Sequence, residues 1–255
     1  FFVSLVTLFL GLTAAWFTTF YDFYFKKIFS YLLILPIAIP PYAVAYCYAD
    51  ITDRGGTISQ ILEFLNLVQL HAFVPSVRSM PGAIFVLSIT LFPYVYLVAK
   101  FSFANNSRKI IEAAANLGIN RSKLFFKCAL PLCKPAIVAG LALVMMESMA
   151  DFGVVHYLGI QSLSVGIYKS WFGLGDFSSA ARLATILFIF SFIVLSIENL
   201  FRKKNEGKYF SFDLYSEDVR LFANSYTIPF LIIFTVILFT LLIPVAWLLY
   251  NSINV

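Results

Sequence analysis

Residues 112–131 read Glu-Ala-Ala-Ala-Asn-Leu-Gly-Ile-Asn-Arg-Ser-Lys-Leu-Phe-Phe-Lys-Cys-Ala-Leu-Pro, a polar, basic stretch between two long apolar runs. Its medium is therefore water, and the runs on either side belong in a bilayer. The stretch is too regular to be a mere connector. Glu112 suits the positive end of a helix dipole. Ala113, Ala114 and Ala115 are strong helix formers and leave a smooth, close-packing face. Gly118 permits a positive φ that ends or bends the helix. Asn120 can then cap a second helix running through Arg121-Ser122-Lys123-Leu124. Pro131 fixes the entry into the next apolar run, whose first turn Pro135 can occupy.

Composition agrees with a membrane setting. Hydrophobic residues make up 61 % of the 255, charged residues only 12 %, and the mean hydropathy is +0.88. A soluble domain carries roughly a quarter charged residues, so the deficit is about twofold. The net charge of +5 is scattered among apolar runs rather than gathered into a patch, which argues against nucleic acid. Cys47, Cys128 and Cys133 have neither CxxC nor Cys/His spacing, so a disulfide framework or zinc site is not indicated. They read as small packing residues. Six runs approach the length of about 20 apolar residues needed to cross a bilayer: 1–20, 28–49, 82–101, 135–151, 183–201 and 228–250. They are continuous rather than alternating, so helices are expected and barrel strands are not. The expected fold is an all-α integral membrane protein, a polytopic bundle of six transmembrane helices with a cytoplasmic helix between two of them.

Basic residues set the orientation. With residues 108–131 on the cytoplasmic side, 14 of the 18 Lys and Arg fall on that side, leaving Arg54, Arg78, Lys169 and Arg182 outside. The first run then enters from outside. It begins at Phe1-Phe2 with neither an initiator Met nor a cleavable signal. An upstream span is therefore expected, with 1–201 forming a first transmembrane half. Residues 202–227 read as a charged cytoplasmic linker. Residues 228–255 read as the first span of a second half.

The spacing Glu112-Ala113-Ala114, Gly118, Leu130-Pro131 resembles the EAA loop of binding-protein-dependent ABC importers. In that family this loop is the coupling helix, through which an ATPase partner drives the membrane subunit. Leu35-Pro36-Ile37-Ala38-Ile39-Pro40-Pro41-Tyr42 resembles a proline-rich segment of the iron(III)-type permeases. So do Glu147-Ser148-Met149-Ala150-Asp151-Phe152-Gly153 with the following Val154-Val155-His156-Tyr157-Leu158-Gly159, and Gly166-Ile167-Tyr168-Lys169-Ser170-Trp171. Cys128 departs from the pattern, which commonly has Ile there. The resemblance implies a permease of the bacterial inner membrane that passes iron(III) from a periplasmic solute-binding protein. Glu112, Ala113, Ala114, Gly118, Leu130 and Pro131 would couple it to two ABC ATPase subunits. A second transmembrane half would follow in the same chain, with membrane lipid around both. ATP and Mg would bind the ATPases, with no cofactor on this chain and no catalytic residues; the sequence has no Walker A motif. Thiamine, sulfate, molybdate and polyamine importers share the loop and the plan.

Glu147 and Asp151 are four apart on one helix face, in the outer half of a span. Acids at that depth usually face a protein interior or an aqueous cavity. They either line a cation path, where hard oxygen ligands suit a hard cation, or form structural hydrogen bonds, or pair with Arg182 or Lys169. Tyr157 and His156 lie just beyond. Whether any of these groups holds a metal ion is open. Pro36, Pro40 and Pro41 kink or break the second span, as a gate or merely as shape. Gly173-Leu174-Gly175-Asp176 with Tyr21-Asp22 mimics an intramembrane aspartyl protease pair, but the charge count puts the two acids on opposite sides. A membrane enzyme would need convergent catalytic groups, and the chain has 2 His and few acids within its apolar runs. An ion-driven secondary transporter would have no use for the coupling loop. Gly11 and Gly140 have no GxxxG partner, so no helix contact is expected at either.

Overall fold

The computed structural model describes residues 1–67, 69, 74–105, 114, 117–205 and 227–253. Among them the chain is helical and contains no β-strand. The helices are α1 (Phe2–Phe20), α2 (Lys26–Leu32), α3 (Pro41–Thr52), α4 (Thr57–Phe64), α5 (Met80–Asn105), α6 (Arg121–Leu124), α7 (Lys134–Ala150), α8 (Gly153–Tyr157), α9 (Leu163–Tyr168), α10 (Phe177–Asn205), α11 (Thr227–Ile237) and α12 (Ile243–Ile253). Among the described residues four helical stretches are long and apolar enough to cross a membrane, or six if each of two bent pairs is one span.

The two bends fall where the sequence has proline next to a basic or apolar turn. Between Lys26–Ala38 and Pro41–Phe64 the axis turns by 95°. Pro36 lies in a short 3₁₀ turn, Leu35–Ala38, and Pro41 occupies the first turn of α3. Proline has no N–H to continue a helix across this point but is well placed to start one. The second span is therefore a broken one rather than a continuous helix over 28–49. The other bend, 67°, separates Phe125–Leu132 from α7. It follows Pro131, with Pro135 in the opening turn of α7.

Burial ranks the spans. The most apolar window of α5 is 72 % buried and that of α10 only 6 %. Helix α5 is thus the axis around which α1 and α7 pack, and α10 turns its Phe and Ile side chains outward. The buried side chains form two clusters. One gathers Trp16, Phe20, Phe103, Leu124 and Ile233, at the cytoplasmic ends given by the charge count. The other gathers Val3, Tyr48, Val86, Val144 and Val165, toward the outer ends. Two cores stacked along the helices are what an up-and-down bundle requires.

The reading of Gly11 and Gly140 needs correction. A Cβ on Gly11 would lie 2.8 Å from Val95 Cβ and 2.9 Å from the Tyr96 nitrogen. One on Gly140 would lie 3.1 Å from the Val95 Cα. Both glycines are helix contacts, on α1 and α7, and both face the same residue of α5. A small residue lets two backbones approach whether or not a second glycine follows four positions later. Gly11→Val should cost about 1–3 kcal/mol by overpacking, read as a lower unfolding temperature of the intact protein in detergent. Gly140→Ala should cost less, and an unshifted Gly11→Val melt would contradict the close approach.

Candidate functional site

Two regions bear on function, one at each end of the bundle. At the cytoplasmic end, Glu112 and Ala113 lie outside the described residues. Ala114 is buried in the inner core together with Phe20, Tyr21, Phe23 and Leu124. Gly118 has φ +77° with open space where a Cβ would sit. The Ile119 N–H donates to the Ala114 carbonyl at 3.3 Å. A positive-φ glycine followed by this six-to-one bond is the Schellman ending of a helix. The chain restarts at once: the Leu124 N–H donates to the Asn120 carbonyl at 2.8 Å, and α6 passes through a π-helical turn, Phe125–Ala129, into Leu130–Leu132. Leu130 is half-buried and Pro131 exposed.

The segment is fixed to the spans by aromatic rings. Phe125 meets Trp16 of α1 edge-on at 5.1 Å. Trp16 in turn packs on Phe20 at 4.5 Å and on Phe103 of α5 at 5.9 Å. Edge-to-face pairs of this kind add about 0.5–1.5 kcal/mol each beyond burial. On the opposite side the loop offers apolar surface to water: Leu117 is 82 % exposed and Phe126 64 %, with Ile119 also open. These three were not singled out in the sequence, where they pass for ordinary hydrophobic residues of a membrane protein.

At the outer end, the structure brings together residues far apart in the chain. Arg78 Nε–H donates to Asp53 Oδ2 at 2.9 Å. The same guanidinium donates to the carbonyl and the hydroxyl of Tyr157, each at 3.2 Å, and lies over its ring. The Asp53 carboxylate holds the Arg78 guanidinium above its already high ordinary pKa. The Tyr157 ring packs on Tyr46 at 5.5 Å, and Tyr46 on Trp247 at 5.3 Å. Trp247 Nε1–H donates to Asp50 Oδ2 at 2.8 Å. The Tyr48 hydroxyl donates to the Phe239 carbonyl, inside the π-helical turn Leu238–Leu242. A π turn displaces carbonyls from their regular partners, so this one can accept from another helix. Two hydrogen bonds therefore tie α3 to the last span.

Glu147 is exposed on α7. Asp151 ends that helix and begins the next, its Oδ1 accepting from the N–H groups of Val154 at 3.0 Å and Val155 at 3.4 Å. This is the geometry of an N-cap. The Asp151 carbonyl also accepts from Ser164 Oγ at 2.7 Å. Lys169 donates to Gln161 rather than to either acid. His156 is exposed and stacks on Phe152 at 4.8 Å. Pro36 is buried, Pro40 exposed and Pro41 half-buried at the break before α3. Among the described residues no three His, Cys, Asp or Glu side chains converge. Asp176 caps α10, accepting from the Ser179 N–H at 3.0 Å. The Ser179 hydrogen bonds hold its carboxyl below the ordinary range, which is a structural role for the acid of the Gly-Leu-Gly-Asp stretch.

Over residues 7–205 the chain matches the family described as binding-protein-dependent transport system inner membrane component. The chain belongs to this family. It is therefore an inner-membrane component of a transport system that works with a binding protein. The molybdenum transport system permease protein ModB of Haemophilus influenzae is 28 % identical over 206 residues, which is 78 % of this chain and 87 % of that one. The sulfate transport system permease protein CysT of Salmonella typhimurium is 25 % identical over 193 residues, 72 % of this chain and 66 % of that one. The putative ferric transport system permease protein FbpB 1 of H. influenzae is 28 % identical over 241 residues, 89 % of this chain. This chain spans only 36 % of that ferric-type relative.

The cap on Asp151 yields a discriminating pair of variants. Asp151→Ala should destabilise the outer loop by about 1 kcal/mol, seen as faster hydrogen exchange over residues 152–158. Asp151→Asn keeps an acceptor oxygen and should exchange at the parental rate. Equal exchange in Asp151→Ala would remove the capping role.

Proposed function

We propose that this chain is the greater part of one transmembrane half, with the opening span of a second, of an ATP-driven importer whose cargo is iron(III). Residues 1–201 form that half, 202–227 the linker and 228–255 the new span. The observation that carries the ferric reading is the reach of the similarity. One ferric-type relative, FbpB 1, matches over 89 % of the chain, beyond what residues 7–205 of the family region hold, while two other ferric-type relatives match over 79 % and 77 %, alongside 78 % for ModB. The charge at the outer end supports it. Six acids, Asp50, Asp53, Glu63, Glu147, Asp151 and Asp176, stand there against the four bases Arg54, Arg78, Lys169 and Arg182, and Asp53 already engages Arg78. Carboxylate oxygens suit a hard trivalent cation and repel an oxyanion.

In this reading a periplasmic binding protein docks on the loops between α3 and α5 and between α7 and α10. It releases its cargo into a path bordered by Glu147, with Tyr157 and Asp151 positioning the loop around it. Pro36, Pro40 and Pro41 supply the break about which that end of the path opens. Two ATPase subunits bind ATP and Mg, and this chain binds neither. Their closure moves the segment bearing Glu112, Ala113, Ala114 and Gly118 through the exposed Leu117, Ile119 and Phe126. Phe125 passes that motion to Trp16, and Leu130 and Pro131 pass it into α7. The two orientations of the path are a two-state equilibrium that ATP binding shifts.

A second reading, an oxyanion permease, is favoured by the extent to which the chain covers ModB. Uptake of radiolabelled ferric ion and of molybdate by cells with the intact transporter separates the two. Ferric uptake is expected, with Glu147→Gln reducing it several-fold while Asp151→Asn leaves most of it. Molybdate uptake without ferric uptake would reverse the assignment. Gly118→Val forces a β-branched residue into a left-handed conformation, costing on the order of 1–3 kcal/mol locally. It should abolish uptake of either cargo while the assembled transporter still hydrolyses ATP. Full uptake in that variant would refute the coupling role.

A further inference from the structure

At the outer end of the bundle the rings of one loop form a continuous row. His156 stacks on Phe152 at 4.8 Å, Phe152 meets Tyr168 at 4.9 Å, and Tyr168 meets Phe172 at 5.1 Å. Neighbouring residues of a helix ordinarily point apart, yet Phe172 stacks on Trp171 at 5.6 Å with the ring planes only 9° apart. Trp171 then meets Phe177 edge-on at 5.1 Å. The row thus runs from α8, through α9 and the π-helical turn Lys169–Gly173, to the first residue of α10. One end is sheltered and the other is open. Phe152 is half-buried, whereas Phe172 is 70 % exposed, Phe177 63 % and the adjoining Leu174 79 %.

The level of the open end indicates what covers it. The continuous apolar part of α10 runs from Leu183 to Phe201, about 28 Å along a helix axis, which matches a hydrocarbon core about 30 Å thick. Phe177 then stands about 9 Å beyond Leu183, at the level of the outer headgroups. Between them the exposed Arg182 sits at the boundary, where a long basic side chain reaches for the polar layer. A ring at this level has an apolar body for the acyl chains and, in Trp and Tyr, a polar edge for the headgroups. The charged groups beside the row are engaged within the loop: Lys169 donates to Gln161 and Asp176 accepts from the Ser179 N–H. Little charge remains there to hold a soluble protein, and in water the row would be a bare apolar patch.

We propose that Trp171, Phe172, Leu174 and Phe177 anchor the turn between α9 and α10 in the outer leaflet of the membrane, among the phospholipid headgroups and the first acyl carbons. The row of rings carries this fixed point inward. Phe152 directly follows Asp151, and Ser164 of α9 donates to the Asp151 carbonyl at 2.7 Å. The anchored turn therefore positions the loop on which Asp151 and Tyr157 stand. Helix α8 and the residues between α3 and α5 stay on the aqueous side, open to a binding protein. The anchor is independent of which cargo the transporter carries.

The test uses the intact, assembled transporter in phosphatidylcholine nanodiscs and the fluorescence of Trp171. Subtracting the emission of the conservative variant Trp171→Phe from that of the parent isolates this residue from the other tryptophans. Lipid brominated on the acyl carbons near the headgroup should remove most of the Trp171 emission. Lipid brominated near the chain ends, and iodide in the water, should remove little of it. Phe172→Trp places a second fluorophore on the row and should enlarge the component quenched by the shallow bromines. Quenching by iodide without quenching by lipid would put the row in water and overturn the anchor. Protection from both quenchers would overturn it in favour of a protein neighbour, and so would protection from the lipid quencher on adding the binding protein. Trp171→Ser with Phe172→Ser should hasten hydrogen exchange over residues 152–168 several-fold in the bilayer, while ATP hydrolysis shows that the variant assembles. Parental exchange in that variant would overturn the positioning of the loop.

Discussion

The close approach of three helices around Val95 sets the geometry on which everything else in this protein rests. Lipid tails are as apolar as leucine, so no hydrophobic force draws spans together, and packing at short range must do so instead. Gly11 on one side and Gly140 on the other bring the backbones of α1 and α7 against α5 near its middle. Above this waist lies one apolar cluster and below it another. With the middle fixed, movement at one end of the bundle can be transmitted to the other by tilting of helices that keep their central contact.

Each end is then built for a different task. The cytoplasmic segment is a helix ending and a helix beginning, stitched together at Gly118 and clamped to Trp16 by Phe125. Leu117, Ile119 and Phe126 stand exposed on it among the exposed Lys123 and Lys127, a mixed apolar and basic surface of the kind that takes a partner. The outer end is the reverse, a polar cluster in which Arg78, Asp53 and Tyr157 join two loops. Exposed ion pairs of this sort contribute little to stability, commonly up to about 1 kcal/mol. A linkage that weak can be remade in a transport cycle without unfolding the helices beneath it.

The last span is integrated into this arrangement rather than appended to it. Trp247 bonds to Asp50, and Tyr48 bonds to a carbonyl that the π turn sets free. In contrast α10 packs on α7 and α9 along one side and leaves most of its residues exposed. The bundle thus has a finished side, where the final helix closes on α3, and an unfinished side of Phe and Ile.

Hydropathy and the spacing of alanine, glycine and proline were enough to determine a helical membrane bundle and the break at Gly118, while the Lys and Arg asymmetry supplied the orientation expected for it. These signals are local: a span needs apolar length, a positive φ needs glycine, and a helix break needs proline. The contacts that only tertiary structure decided are the non-local ones. Gly11 and Gly140 carry no pattern within their own helices, and their meaning lies in Val95 on a third. Asp151 was legible as an acid in an unusual place, but its bonds to Val154 and Val155 depend on how the chain turns after α7. Trp16 on Phe125, Arg78 on Tyr157, and Phe152 on Tyr168 each join residues whose separation in sequence hides them. Packing chooses such partners by shape and charge in three dimensions, and a one-dimensional pattern holds no record of that choice.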